Sequence, residues 1–264
     1  MFVSYAQNFE DVMLHRVFGS VGDGFYIDVG AWHPETDSVT KHFYDMGWSG
    51  INIEPSKYYF RLLEKRRERD INLRVAVGTR AGELDFVEVP GSGLSSLHLD
   101  AAAHATRYGF STRRYKVPVV PLQSICERYC PGKLISFLKI DVEGSERDVI
   151  ESLDWKTIRP VLVMVEAVHP ETKLPIWDAW EPTLLGAGYV FVWFDGLNRY
   201  YLRCESQELK NHFLTPPGFP DGFVIKPNHA LCMRLRTRVR LALSEAIHVR
   251  VHNFAARIHS CVRS

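Results

Sequence analysis

With 264 residues, 46% of them hydrophobic and 24% charged, the chain has the composition of a folded protein and not of a disordered segment. No uncharged apolar run reaches the roughly 18 residues of a membrane-spanning helix, and the first residues, MFVSYAQNFEDVML, carry neither a basic leader nor a small-residue cleavage pattern, so a cytoplasmic address is expected. The net charge of +1 hides an asymmetry: Leu231 to Ser264 hold seven arginines and one acid, Glu245, leaving 25 basic and 30 acidic residues elsewhere.

Along the chain, short apolar runs alternate with helical segments. FYIDVGAW, from Phe25 to Trp32, reads as a buried strand, and SVTKHFYDMGW after it as a helix ending at Gly47. GINIEPS, from Gly50 to Ser56, is a second strand, followed by the charged helix KYYFRLLEKRRERD with an apolar face at Tyr59, Leu62 and Leu63. NLRVAVG, from Asn72 to Gly78, reads as a third strand, and ELDFVEV alternates as a half-exposed strand does. The glycine- and serine-rich stretch PGSGLSSLHLDAAAHATRYGF has no clear period and reads as a loop or mobile cover.

Order resumes with KVPVVPLQSICERY. The strand FLKI then ends in Asp141, Glu143 and Glu146, and a helix is expected from Ser145 to Leu153. VLVMVEAV, from Val161 to Val168, is another strand, IWDAWEPTLLGAG a glycine-ended helix, and YVFVWFDGLNRYYLRC two antiparallel strands around a DGLN turn. This βαβα rhythm predicts a parallel sheet with helices on both faces. The expected body is residues 1–226, and residues 227–264 form a basic amphipathic helical extension, with Leu235, Val239, Leu243, Ile247 and Phe254 near one face. That extension suits an anionic membrane surface, a partner enzyme, the body itself or a second copy in a homodimer. No nucleic-acid partner is expected, since the body has neither a basic face nor an RNA-binding motif. The five cysteines are scattered, without CxxC pairs, and read as reduced thiols.

Carboxylates that close a buried strand mark where it leaves the core, and in open α/β sheets ligands bind at that edge. Asp28-Val29-Gly30 follows the first strand and Glu54 ends the second, 26 positions after Asp28. A glycine lets the backbone approach a ligand, and an acid there can accept bonds from ribose hydroxyls. The turn DVGAWHPETDS lacks the later glycines of a dinucleotide fingerprint, and no P-loop occurs. An adenosine cofactor without phosphates, S-adenosylmethionine, fits this pattern; the alternative is that both acids cap local turns.

SYAQNFEDVML, FYIDVGAWHPETDSVTKHFYDMGWSGINIEPS, SGLSSL, VVP, FLKIDVEGSE and FDGLNRYY, in that linked set, resemble the FkbM family of S-adenosylmethionine-dependent methyltransferases from about Phe2 to Val224. The resemblance implies a Rossmann-like class I methyltransferase sheet, mostly parallel with one antiparallel strand and flanked by helices. It also implies O-methylation, frequently of sugar hydroxyls in polysaccharide, glycolipid or natural-product pathways. A saccharide or glycoconjugate acceptor, and glycosyltransferases of the same pathway as partners, are therefore expected. The resemblance puts Asp28, Gly30 and Glu54 in the cofactor pocket, Gln7 and Asn8 closing over it, and Asp141 beside the transferred methyl. GAWHP departs from similar sequences, so Trp32 and His33 are expected to reshape the pocket mouth.

Methylating a hydroxyl needs alignment and removal of its proton, by a base or with the help of a divalent ion. His169 is the leading candidate base, with His33, His42, His98 and His104 as competitors and a backbone-bonding loop histidine as the alternative. Asp141 and Glu166 close adjacent strands and offer oxygen ligands that suit magnesium, calcium or manganese. Glu143 and especially Glu146 also suit a helix start. Trp180, Glu181, Asp195, Asn198, Arg199 and Tyr200 are candidates for a carbohydrate pocket, set against the alternative that they belong to the core and a hairpin turn.

Overall fold

A computed structural model describes residues 1–97, 109–169, 172, 174–226 and 229. His98, His104 and the basic extension apart from His229 therefore lie outside the described residues. Among those described, no helix is long and apolar enough to cross a membrane.

The central sheet is built from runs that read as buried strands. β2 (Phe25–Val29) is buried at every position, as are β8 (Phe137–Ile140) and β9 (Leu162–Glu166). Such near-continuous apolar runs, with Asp28, Lys139 and Glu166 as their one charged residue each, are what a parallel strand covered on both faces shows. β2 pairs in parallel with both β3 (Ser49–Ile53) and β8; β3 continues in parallel to β4 (Ile71–Leu73), and β8 to β9. Beyond β9, β11 (Asn198–Arg203) runs antiparallel and is followed at the edge by β10 (Tyr189–Phe194). The order is β10-β11-β9-β8-β2-β3-β4, a mostly parallel sheet with a single antiparallel strand, as expected.

Successive residues of these strands serve opposite cores. Ile27, Val29, Ile51, Leu138, Ile140 and Val163 pack beneath α4 (Leu122–Tyr129), α5 (Glu146–Glu151) and α6 (Glu181–Gly186). Tyr26, Phe137, Leu162, Met164 and Tyr200 face the other side, against Met13, Leu14 and Phe18 of α1 (Glu10–Phe18) and Phe43 of α2 (Lys41–Asp45). The helix expected to end at Gly47 is reduced to these five residues. α3 (Lys57–Arg66) forms where a charged helix was expected but stops four residues short of Asp70; it is capped by Ser56, whose hydroxyl accepts from the Tyr59 amide, and it buries Tyr59 and Leu63 but only partly Leu62.

The run from Asn72 to Gly78 is a correction. It is not one strand: β4 closes one edge of the central sheet, while β5 (Ala76–Val77) joins a second sheet with β7 (Arg113–Val120) and β6 (Gly82–Glu88). β6 does not alternate either. It runs from exposed residues at Gly82 to buried ones at Glu88, because it enters the molecule along its length instead of lying flat on it. The sequence pattern also leaves unseen β1 (Phe2–Ser4), which pairs in parallel with β12 (Phe223–Ile225) and so joins the two ends of the described body.

Candidate active site

The C-terminal ends of β2, β3, β8 and β9 open onto a cleft of about 270 Å³. Gly30, just past β2, has φ +81°, and a Cβ there would lie 1.7 Å from the Asp141 carbonyl oxygen. Only glycine permits this approach between the ends of β2 and β8, in a left-handed conformation that side chains disfavour.

Beneath that turn lies Lys139, 6% exposed in the middle of β8. Its Nζ is 3.2 Å from Asp28 Oδ1 and 3.3 Å from Asp141 Oδ2, and donates to the Gly30 carbonyl at 3.1 Å. Burial works against the ammonium charge, but the Asp141 and Asp28 carboxylates outweigh it and hold the lysine protonated above its usual range. Asp28 also accepts from the Thr40 hydroxyl at 3.1 Å. The lysine thus fixes both acids expected at the cofactor pocket. Sequence reasoning passed over it, although a lysine inside the apolar strand FLKI is a signal in its own right, since lysine is rarely buried unless paired.

Glu54 follows β3 and is buried, with one carboxylate oxygen accepting from the Trp32 amide (2.9 Å) and the other from the Ser56 amide (2.7 Å). Burial pushes its pKa up to about 7, against those two bonds. It therefore both ties the turn after β2 to the turn after β3, as a capping acid would, and lines the cleft.

On the same cleft one oxygen from each of Asp141, Glu143 and Glu166 lies within 4.8 Å of the others. Glu143 has φ +54°, a turn in the DVEGSE segment that brings its side chain back beside Asp141. Burial first, then the charges of Asp141, Glu143 and Glu146, raise the Glu166 pKa well above the carboxylate range. Glu146 serves the backbone instead, its Oε1 accepting from the Val142 and Gly144 amides at 3.2 and 3.1 Å, which shapes the turn into α5. The described part of the Gly-Ser loop, from Gly93 to Leu97, forms a wall of the cleft, and the Ser96 hydroxyl donates to the Glu143 carbonyl at 2.8 Å.

Gln7 lines the cleft, as does Leu197 of the turn between β10 and β11. Asn8 does not; its amide nitrogen donates to the Asp195 carbonyl at 3.0 Å. Asp195, Asn198 and Tyr200, read in sequence as sugar-binding candidates, are bonded to one another and to the N-terminal segment. The Asn198 amide donates to Glu10 (3.0 Å), and the Tyr200 hydroxyl donates to Asp195 (2.8 Å). Arg199 and Tyr201 both bond Glu181 at 2.7 and 2.8 Å, while Trp180 is 2% exposed in the core. These groups hold β11 to its neighbours and do not face the cleft, which matches their bland alternative.

The histidines stand apart as well. His169 does not line the cleft: it lies in the loop after β9, its amide donating to the Leu174 carbonyl and its Nδ1 accepting from the Thr172 amide at 3.3 Å. His33 accepts from the Glu35 and Thr36 amides, and His42 is bonded to His15 at 2.9 Å, where burial pulls its pKa down to about 4. Trp32, in contrast, does form part of the cleft wall.

A mostly parallel sheet whose strand ends open onto a cleft of this kind is the layout of a methyltransferase fold. The methyltransferase FkbM domain matches residues 28–191, more than half of the chain, and the protein belongs to that family of methyltransferases. None of the curated proteins compared with the chain matches it.

Proposed function

We propose that the protein transfers a methyl group from S-adenosylmethionine to a hydroxyl of a saccharide or glycoconjugate. The observation that carries the cofactor is the charge of the cleft. Asp28, Asp37, Glu54, Asp141, Glu143 and Glu166 line it, and among the described residues Lys139, already paired with two of them, is its one cation. Such a wall attracts a sulfonium and an ammonium, and it repels the pyrophosphate of a dinucleotide. Glu54 keeps lone pairs beyond its two backbone bonds, enough for ribose hydroxyls. Gly30 lets the turn after β2 close against the Asp141 carbonyl, so that the two strand ends carrying Asp28 and Asp141 lie side by side on the cleft wall.

When bound, S-adenosylmethionine supplies a methyl that passes to the acceptor oxygen as the sulfur–carbon bond breaks and its electron pair returns to sulfur. The chain's part is to align the acceptor and accept its proton. No histidine lines the cleft among the described residues, so in this reading proton removal falls to the carboxylates of Asp141 and Glu143. Support for a sugar comes from the family resemblance and from the cleft lining, which holds the aromatic Trp32 together with Gln7, Asp37 and Ser95, groups that pair with hydroxyls.

Calorimetric titration with S-adenosylhomocysteine, with NADH as control, tests the cofactor; saturable binding of the first alone is expected. Mass spectrometry of glycans and of small hydroxylated metabolites after incubation with S-adenosylmethionine tests the acceptor. A mass gain of one methyl confined to the small metabolites sinks the saccharide reading.

A further inference from the structure

We propose that Asp141, Glu143 and Glu166 form a binding site for one divalent cation of the hard, oxygen-seeking kind, magnesium, calcium or manganese. A cluster of acids alone is a weak argument, and this one has more. Glu166 is 6% exposed, and its Oε2 has no hydrogen-bond partner among the described residues. A buried carboxylate oxygen without a partner is costly, and its side chain lies on the cleft wall within 4.8 Å of the other two acids, so a ligand there would satisfy it. Lys139 does not fill that need, because its ammonium is engaged by Asp28, Asp141 and the Gly30 carbonyl.

The spacing suits one ion. Oxygen ligands on opposite sides of magnesium are about 4.2 Å apart, and on opposite sides of calcium about 5 Å. Three oxygens within 4.8 Å thus need small side-chain rotations to share one centre. All three donors are carboxylates, which selects hard cations over zinc or copper. The site faces the cleft, so the remaining coordination positions are open to water and to oxygens of the acceptor. A cation there would lower the pKa of a coordinated hydroxyl, in a cleft whose described lining has no histidine. That catalytic role rests on the methyltransferase reading; the cation site does not.

The test uses the full chain stripped with chelator, titrated with manganese and followed by the paramagnetic resonance signal of the free aquo ion. One tightly held ion per chain is expected, displaced by magnesium or calcium. Glu166→Gln and Glu143→Gln should each weaken manganese binding about tenfold or more, with thermal melts showing that both variants fold. S-adenosylhomocysteine is titrated separately into the unsubstituted chain. Manganese binding without that ligand upholds the cation site and counts against the methyltransferase reading; the reverse leaves that reading and overturns the site. Manganese affinity that is the same in both variants also overturns it.

Discussion

An ammonium buried beneath Gly30 is tolerable only while its carboxylate partners remain, and the converse holds for Asp28. Replacing Lys139 with Met keeps much of the volume but strands Asp28 in the interior. We expect a loss of about 3 kcal/mol or more in urea denaturation, the usual consequence of breaking one half of a buried pair. Glu54 carries a different prediction. With its pKa at about 7, it ionises through the neutral range, and a carboxylate accepts ribose hydroxyls better charged than neutral. Affinity for S-adenosylhomocysteine should therefore rise between about pH 6 and 8, and calorimetry on Glu54→Gln should find weaker binding with that rise gone. An unchanged profile would place Glu54 outside the ribose site. Asp28, Gly30, Glu54 and Asp141 were legible as cleft residues because acids and a glycine at the ends of buried strands mark where those strands leave the core. Lys139 was there to be read too, but a pattern that tracks apolar runs treats one lysine as noise.

Elements were legible where both faces of a strand are covered. β2, β8 and β9 announce themselves by short, mainly apolar runs, broken only by Asp28 in β2, Lys139 in β8 and Glu166 at the end of β9, whereas β4 and β5 share one run that tertiary pairing divides between two sheets. Nothing local marks that division. The turn between β10 and β11 was read rightly as a turn, yet its role depends on contacts nearly 190 positions away in sequence. Asn198 bridges Glu10 and Asp195, and burial, followed by the Asp195 charge, raises Glu10 to about 8. Because the folded state holds that proton more tightly than the unfolded chain, this group costs stability as pH climbs from the ordinary carboxylate value of about 4.3 toward 8. Thermal melts across that range should fall for the unsubstituted protein and fall less for Glu10→Gln. Asn198→Ala, which leaves the buried Glu10 facing Asp195 without the amide, should cost about 2 kcal/mol and weaken cofactor binding, since Leu197 and Gln7 on either side of the network line the cleft.

At the scale of the molecule, the two ends of the body are brought together beside the cleft, and no local pattern foretells this. β1 pairs with β12, and His229 stacks on Phe9 and bonds the Ala6 carbonyl at 3.0 Å, next to the Gln7 that lines the site. One residue fastens the assembly to α1: Arg16 forms two bonds to Asp221, the longer 2.8 Å, and donates to the Thr215 and Pro216 carbonyls at 2.6 and 2.9 Å. The guanidinium holds the Asp221 carboxyl below the usual range, so its contribution is present at neutral pH and is lost as pH falls through that lowered value. Arg16→Ala removes the fork while leaving the central sheet intact. Hydrogen exchange should then quicken in residues 213–225 and in β1, with β2, β8 and β9 still protected to the same degree. Equal loss of protection everywhere would mean that the closure is part of the core and not a separate fastening. If the ends open on their own, affinity for S-adenosylhomocysteine should drop in the same variant, because the segment carrying Gln7 is held over the cleft by this pairing.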